Sequence, residues 1–330
     1  MARTFTAVVF PEANRAELRE FPLRAPRKGE VLARVVVSGV SIGTEYLVLS
    51  GQFPNQKFPC LVGYQSVGVV EEVGEGISHL RPGDRITIGS SEIPEGYHEG
   101  AGAAHFSHAV IPAEPGNDRA IIVPSHVSDD AASYFVLVSV AVEGIRLANV
   151  QRNDLVAVVG QGVLGQLVAQ ICRHNGATVF TSDLDPARVE ISARYSAHRA
   201  FALDVPAFDE ELRKVQKKGA DVVFETTGNT KVFDQALTLA RDYGTFVAQG
   251  HYPGNLTFRF VHAHWRHLRM MFPCGKGKTW ESVETMARGI VNVDSLITHR
   301  VSPQDAPDLY AKVAARSPEI LGATIRWAER

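Results

Sequence analysis

Apolar positions along the chain follow two rhythms. Over residues 1–125 they come in short runs cut by glycine and proline. Residues 4–10, 31–38, 67–73 after Gly63, and 84–88 after the turn at Gly83 have strand length and strand patterning. This region reads as all-β, with residues 89–102, which hold Pro94 and four glycines, as an exposed loop and 104–111 as a closing strand. At Ser128 the rhythm changes, because a capping hydroxyl followed by Asp129 and Asp130 marks a helix start. Strands at 155–159, 178–182, 200–203, 221–225, 244–249 and 268–272 then alternate with helices at 186–197, 208–218 and 230–241, a pattern that predicts a parallel sheet with right-handed crossovers. Helices near 280–290 and 307–315 and a strand at 323–327 are expected to return to the β region. The predicted fold class is α/β: a β domain of residues 1–125 and 276–330, and a doubly wound parallel-sheet domain of residues 126–275.

One stretch carries chemistry as well as fold. Residues 155–159 are apolar throughout, as in a parallel strand buried on both faces. Gly160, Gly162 and Gly165 follow as G-x-G-x-x-G, in which the first glycine permits the turn, the second lets the backbone approach a pyrophosphate, and the third packs helix on strand. Val163 and Leu164 open the helix, whose free N–H groups and partial positive charge, roughly half an elementary charge, face the phosphates. Leu167, Val168, Ile171 and Cys172 continue its sheet-facing stripe, and Gly176 supplies the stop. Asp183 lies about 20 residues beyond the glycines, where a carboxylate hydrogen-bonds ribose hydroxyls and repels a 2′-phosphate, which favours NAD over NADP. Arg188, Thr226, Gly228 and Gly250 are assigned to the same cofactor.

Composition narrows the class. At 330 residues, 45% hydrophobic and 21% charged, the chain can bury the cores of two ordinary domains. A net charge of −2 gives no basic field for nucleic acid or an anionic membrane, so the expected partner is a small-molecule substrate. No apolar run reaches the ~18 residues of a membrane span. The first residues lack an apolar h-region, and Cys60, Cys172 and Cys274 are scattered and odd in number; both features lead to the expectation of a cytoplasmic protein without a disulfide framework.

Four local motifs resemble the medium-chain dehydrogenase/reductase superfamily, and the likeness spans essentially the whole chain. They are residues 38–45, ending Gly43-Thr44-Glu45; 63–74, beginning Gly63-Tyr64-Gln65; 80–86, with Pro82-Gly83-Asp84; and the glycine stretch at 158–165. Residues 221–228 are similar to the family's fourth Rossmann strand and the turn beside the cofactor. The resemblance implies a GroES-like β-barrel catalytic domain, a Rossmann domain and nicotinamide chemistry.

The departures from the family pattern matter more. Zinc-dependent members carry a cysteine where this chain has Ile42, with Ser41 one further back, and Gly-His-Glu where it has Gly63-Tyr64-Gln65. The cysteine-rich structural zinc lobe is absent between Asp84 and His108. Catalytic zinc needs three N, S or O ligands, so a zinc-free member is expected, with no metal-ligating residues. His98, His105 and His108, and His262, His264 and His267, are the histidine groups that could rebuild a site; Arg259, Arg266 and Arg269 among the latter favour a solvated or phosphate-contacting face instead.

A zinc-free site must orient a carbinol carbon against the nicotinamide and manage one proton by other means. Thr44 matches the family position whose hydroxyl touches the substrate oxygen and starts a proton relay. Tyr64 either donates a hydrogen bond to that oxygen, acts as base if a cation lowers its pKa, or fills the metal's volume. Glu45 is assigned support of this cluster, and Gln65 either binds substrate or braces Tyr64. His251, at the carboxyl end of the fifth strand, is either the group titrating near neutral pH or a loop histidine without a role. The form Ser41-Ile42-Gly43-Thr44-Glu45 resembles that of bacteriochlorophyllide hydroxyethyl dehydrogenases and neighbouring zinc-free sequences, which oxidise a secondary alcohol with NAD. A sugar, cyclitol or conjugated natural-product alcohol fits that reading. A zinc-free quinone or enoyl reductase, an epimerase or eliminase with retained NAD, and a non-catalytic nucleotide-binding protein are the alternatives. The sixth strand, near 268–272, is expected to form an edge and a homodimer interface.

Overall fold

The computed structural model describes residues 3–273 and 277–328. Cys274 and the expected boundary at 275/276 lie outside them. The chain divides into two compact units, Met1–Val136 with Lys278–Arg288 and Ile297–Arg330, and Leu137–Gly277 with Gly289–Leu296. The first boundary therefore falls after Val136 rather than at residue 125. The segment around Ser128 is helical but belongs to the first unit, where Asp130 accepts from Arg300, Thr324 and Arg326.

The first unit begins with β1 (Thr4–Phe10), β2 (Glu17–Pro22), β3 (Glu30–Val40), α1 (Ile42–Leu49), β4 (Cys60–Val62), β5 (Ser66–Val73), β6 (Arg85–Ile88), β7 (His98–Gly100), β8 (His108–Pro112) and α2 (Asp129–Ala132). Two elements here differ from the expected all-β pattern. In α1 three consecutive residues, Leu47, Val48 and Leu49, are buried, so no amphipathic stripe announces a helix. The supposed loop at 89–102 contains β7, which pairs with β4, and its Tyr97 stacks edge-on against Phe21.

The second unit takes in most of α3 (Phe135–Ala148), then β9 (Leu155–Val159), α4 (Val163–His174), β10 (Thr178–Asp183), α5 (Pro186–Ile191), β11 (Arg199–Ala202), α6 (Val205–Val215), β12 (Ala220–Glu225), α7 (Thr230–Leu237), β13 (Ala240–Ala248), α8 (Phe260–His264) and β14 (Arg269–Met271). These strands form one parallel sheet in the order β11-β10-β9-β12-β13-β14, the doubly wound arrangement, with β9 central and buried at every position. The expected helix at 186–197 ends at Ile191 and continues as a π-helical turn, Ser192–Ser196. The serines there are held by polar partners, Ser192 by Gln161 and Ser196 by Gln166. Strand β13 starts at Ala240, inside the expected helix at 230–241.

The chain closes with α9 (Thr279–Ala287), β15 (Ile297–Val301), α10 (Ala306–Ala314) and β16 (Gly322–Arg326). Strand β16 pairs antiparallel with β3, matching Ala323 to Val40, so the tail completes the sheet β15-β16-β3-β5-β6, with β8 also on β3. A second sheet, β2-β1-β4-β7, belongs to the same unit. Val8, Phe10, Val48, Leu49, Leu309, Tyr310 and Ile325 pack in one of its cores, which places α1 and α10 on one side of the β structure.

Candidate active site

In the second unit the chain leaves β9 through Gly160, whose φ of +92° lies in the left-handed region that only glycine adopts without strain. A Cβ on Gly165 would stand 2.1 Å from the Gly160 carbonyl oxygen, so the bare third glycine is what lets α4 lie on the turn. Gly162 caps α4 from extended backbone, and a Cβ there would meet no atom within 4 Å. That open space borders the first turn of α4, where the Val163 and Leu164 N–H groups have no helical acceptor. The cradle fits the pyrophosphate of a dinucleotide.

The neighbouring side chains hold this turn in place. Asp183 accepts the Gln161 N–H at 2.6 Å and the Asp185 N–H at 2.9 Å, so it pins the glycine turn to the end of β10 and keeps further lone pairs for a ribose. Thr226 donates to the carbonyls of Val159 and Gly160 at 3.0 and 2.9 Å. Arg188 on α5 lies 3.5 Å from Asp185, and its Nε has no hydrogen-bond partner. The loops after β12 and β13 press backbone to backbone: a Cβ on Gly228 would stand 2.5 Å from the His251 carbonyl, and one on Gly250 2.3 Å from the Gly228 nitrogen. His251 is exposed in the second of these loops. Glu225, which sequence reading passed over, is buried at the end of β12 and accepts from Tyr252 and from the Thr227 N–H and hydroxyl. Burial raises its pKa, and those hydrogen bonds lower it by less.

The first unit brings together Ser41, Thr44, Glu45 and Tyr64. Ser41 caps α1, and Glu45, one turn along, reaches back so that its carboxylate accepts the Ser41 N–H at 2.8 Å. The contact satisfies the N–H of the residue that opens the helix. The other carboxylate oxygen accepts from the Tyr310 phenol and lies 3.0 Å from His105 Nε2. His105 Nδ1 is 2.7 Å from the Ser38 hydroxyl, which accepts the Trp327 indole N–H at 2.9 Å. Glu45 and Ser38 are wholly buried, and His105 and Tyr310 are each 1% exposed. Burial first, and then the Glu45 charge, drive the Tyr310 phenol well above its ordinary pKa.

The Ser41 and Thr44 hydroxyls are the polar groups that bear on the Tyr64 phenol, and both draw its pKa down. Burial pushes this phenol up to about 12, and the two hydroxyls lower it by less. The protonated phenol is therefore the favoured form near pH 7. Gln65 is wholly buried; its amide donates to the Gly39 carbonyl at 3.4 Å, and its own carbonyl accepts the Gly39 N–H. Its role is thus at least to tie β3 to the strand end that carries Tyr64. Ser41, His105 and Tyr310 are the members of this cluster that sequence reading did not assign.

The histidines do not converge. His98 is exposed on β7, His105 is buried against Glu45, and His108 lies 3.8 Å from Glu71. His262 pairs with Asp234 at 3.0 Å, His264 stacks on Phe260, and His267 stacks on Tyr243. Among the described residues no group of three or more His, Cys, Asp or Glu could hold a metal ion. The side chains at positions 42, 64 and 65 do not fit a catalytic zinc: an alkyl group, a phenol whose protonated form burial favours, and an amide turned to the backbone.

Comparison with known proteins agrees with this architecture. Residues 27–114 match the alcohol dehydrogenase GroES-like domain family, and residues 163–289 match the family described as zinc-binding dehydrogenase. The chain belongs to the medium-chain dehydrogenase/reductase superfamily. It is 27% identical to an S-(hydroxymethyl)glutathione dehydrogenase from Escherichia coli O1:K1 / APEC, over 92% of this chain and 95% of that protein. The fold matches 2R,3R-butanediol dehydrogenase from Bacillus subtilis (TM-score 0.84, 19% identity, covering 98% of this chain and 99% of that one). It also matches an Escherichia coli CFT073 alcohol dehydrogenase complexed with NADH (TM-score 0.84, 19% identity, 98% and 99%). A third match is a Sinorhizobium meliloti 1021 dehydrogenase bound to NADP (TM-score 0.85, 22% identity, 98% and 99%).

Proposed function

We propose that this oxidoreductase oxidises a secondary alcohol to a ketone with NAD and without zinc, its substrate being a sugar, cyclitol or conjugated natural-product alcohol. The observation that carries the proposal is the Tyr64 phenol beside the hydroxyls of Ser41 and Thr44, at positions where the family resemblance would put zinc ligands. The bound nicotinamide supplies the hydride acceptor. Tyr64, protonated at neutral pH, donates its hydrogen bond to the substrate oxygen as that oxygen becomes a carbonyl. Thr44 and Ser41 each donate and accept, so they relay the alcohol proton toward solvent as the hydride goes to NAD, giving ketone, NADH and one released proton. In the second unit the Gly160–Gly165 turn receives the pyrophosphate, and Asp183 is the acceptor for the ribose hydroxyls, which favours NAD.

Free, buried thiols at Cys60 and Cys172 suit a reducing compartment, and no helix among the described residues is long and apolar enough to cross a membrane. Pairing of two chains through the edge strand β14 accounts for the exposed Trp265 and Phe272 that flank it. The test of the function is metal analysis of the purified protein combined with a screen of secondary alcohols against NAD and NADP, followed by the absorbance of the reduced nicotinamide. Turnover with NAD in metal-free protein is expected. Stoichiometric zinc whose removal abolishes turnover, or a clear preference for NADP, overturns the proposal.

A further inference from the structure

In the first unit's hydroxyl cluster, the buried His105 has been given no task. His105 sits in a loop between two alanines and a phenylalanine, is 1% exposed, and touches the site in two ways. Its Nε2 lies 3.0 Å from the Glu45 carboxylate, which holds the Ser41 N–H and so fixes the end of α1 that carries Ser41 and Thr44. Its ring also lies against Gly63, next to Tyr64: a Cβ on Gly63 would come within 2.6 Å of the imidazole, and Gly63 has a φ of +89°. The same ring thus supports both halves of the hydroxyl cluster, the helix end and the strand end.

The hydrogen-bond inventory shows how the ring is oriented. Trp327 Nε1 can only donate, so Ser38 accepts from it, and the same hydroxyl meets His105 Nδ1. The Glu45 carboxylate can only accept, so the hydrogen between them belongs to Nε2, and the same carboxylate oxygen also accepts from Tyr310. Every polar atom of the ring is used, and none of it faces solvent.

We propose that His105 is a positioning residue for the reaction: through Glu45 and Gly63 it fixes Ser41, Thr44 and Tyr64 in the arrangement in which the phenol meets both hydroxyls. This rests on the reading of Tyr64 as the group that meets the substrate oxygen. A bare volume-filling role would be served by any side chain of similar size, whereas a positioning role requires the Nε2–H donor. Glutamine can place an amide N–H near the position of Nε2, while leucine fills space without a donor.

The experiment compares wild type, H105Q, H105L and Y64F by thermal melting, by NMR of protein labelled with carbon-13 at the tyrosine ring carbon that bears the hydroxyl, and by steady-state kinetics. The Tyr64 resonance is assigned by its loss in Y64F. In H105L that resonance is expected to shift, and kcat to fall by up to about 100-fold, the cost of misplacing a reacting group by about 1 Å, while KM for NAD stays unchanged. H105Q is expected to restore the resonance and most of kcat. An unshifted Tyr64 resonance and an unchanged kcat in a folded H105L protein overturn the proposal, as does an H105Q protein no better than H105L. Should H105L fail to fold, H105Q against wild type decides: a Tyr64 resonance displaced to a new position with kcat retained refutes the link. If Y64F itself leaves kcat intact, the underlying reading of Tyr64 fails instead, and the NMR arm, which needs no turnover, reports on His105 separately.

Discussion

The glycines at 162 and 165 are both unsubstituted at Cβ for steric reasons, but the space each leaves open belongs to a different partner, and the two can be separated by adding one methyl group. At Gly165 the new Cβ would lie 2.1 Å from the Gly160 carbonyl oxygen and 2.7 Å from Thr226 Oγ1. Neither neighbour can give way freely, since one is backbone and the other donates to the Val159 and Gly160 carbonyls. G165A must therefore push α4 off the turn. Overpacking of this kind costs about 1–3 kcal/mol, which in a domain of this size lowers the melting temperature by about 2–4 °C for each kcal/mol. At Gly162 the methyl meets no atom within 4 Å, and the backbone, φ −66° and ψ 178°, suits alanine. G162A should change stability by less than about 1 kcal/mol, the scale of an altered N-cap. Its methyl would instead occupy the space through which the pyrophosphate reaches the helix N–H groups. Losing a hydrogen bond to a charged group costs about 1.5–3 kcal/mol, so NAD affinity should fall by about 10- to 100-fold. Calorimetric melting without nucleotide, together with NAD titration by quenching of intrinsic fluorescence, reads both effects. A G162A protein that binds NAD like wild type, or a G165A protein with an unchanged melt, refutes the assignment of these spaces.

Other expectations follow from the same geometry. Because the Tyr64 phenol is pushed up to about 12, mainly by burial, its protonated form is the one the fold favours; the stability it contributes is complete below the ordinary tyrosine pKa of about 10 and is lost as pH rises through the folded value. Wild type should accordingly lose more stability than Y64F over that alkaline window in chemical denaturation, and equal losses would contradict the burial of the phenol. For the same reason Tyr64 should contribute no inflection to the kcat profile near neutral pH, and any inflection there should survive in residual Y64F activity. D183N, which retains an oxygen acceptor but loses the charge, should narrow the preference for NAD over NADP in paired binding titrations; an unchanged ratio would show that Asp183 serves only the Gln161 and Asp185 N–H groups. Light scattering at micromolar concentration should give a dimer, and a charged replacement of Met270 in β14 should shift it toward monomer; a monomeric wild type would remove the edge-strand interface.

The nucleotide half was legible in the sequence because its determinants are local. Gly160, Gly162, Gly165 and Asp183 fall within one strand-helix-strand unit: Gly160 acts through its positive φ, Gly162 and Gly165 through the space they leave, and Asp183 through the carboxylate it turns to the Gln161 N–H. The parallel sheet was legible for a related reason: β9 and β12 are almost wholly buried and so read as continuous apolar runs. Elements whose burial follows no simple period were missed. Helix α1 buries three adjacent residues and carries the buried Glu45, while the three-residue β7 lies among glycines and acids. Strand β15 does alternate in burial, but His299 and Arg300 in its middle hide that period from the residue types.

The hydroxyl cluster was half legible. Motif positions pointed to Thr44, Glu45 and Tyr64, but not to what holds them, because those partners come from far away in the chain. Tyr310 is 265 positions from Glu45 and falls on a helical stripe with Leu309 and Val313, so by pattern it reads as plain core. His105 is 60 positions from Glu45. The signal that could have found it is a lone histidine inside the apolar run Ala103-Ala104-His105-Phe106, where burial obliges both ring nitrogens to find partners.

If a phenol stands in for a metal, as proposed, there is an energetic consequence that bears on the substrate. A Lewis acid stabilises a developing oxygen charge by several kcal/mol. A neutral hydrogen-bond donor to a charged oxygen supplies about 1.5–3 kcal/mol. On the proposed reading the remainder has to come from the substrate itself, through conjugation that favours the ketone, or from preorganisation. Preorganisation is what the buried Glu45, His105 and Tyr310 provide: their hydrogen bonds are made before any substrate arrives, so no reorganisation is required of them during the reaction. The protein should therefore discriminate among secondary alcohols more by how readily they become ketones than by how many hydroxyls they offer, the reverse of what a chelating metal site would select.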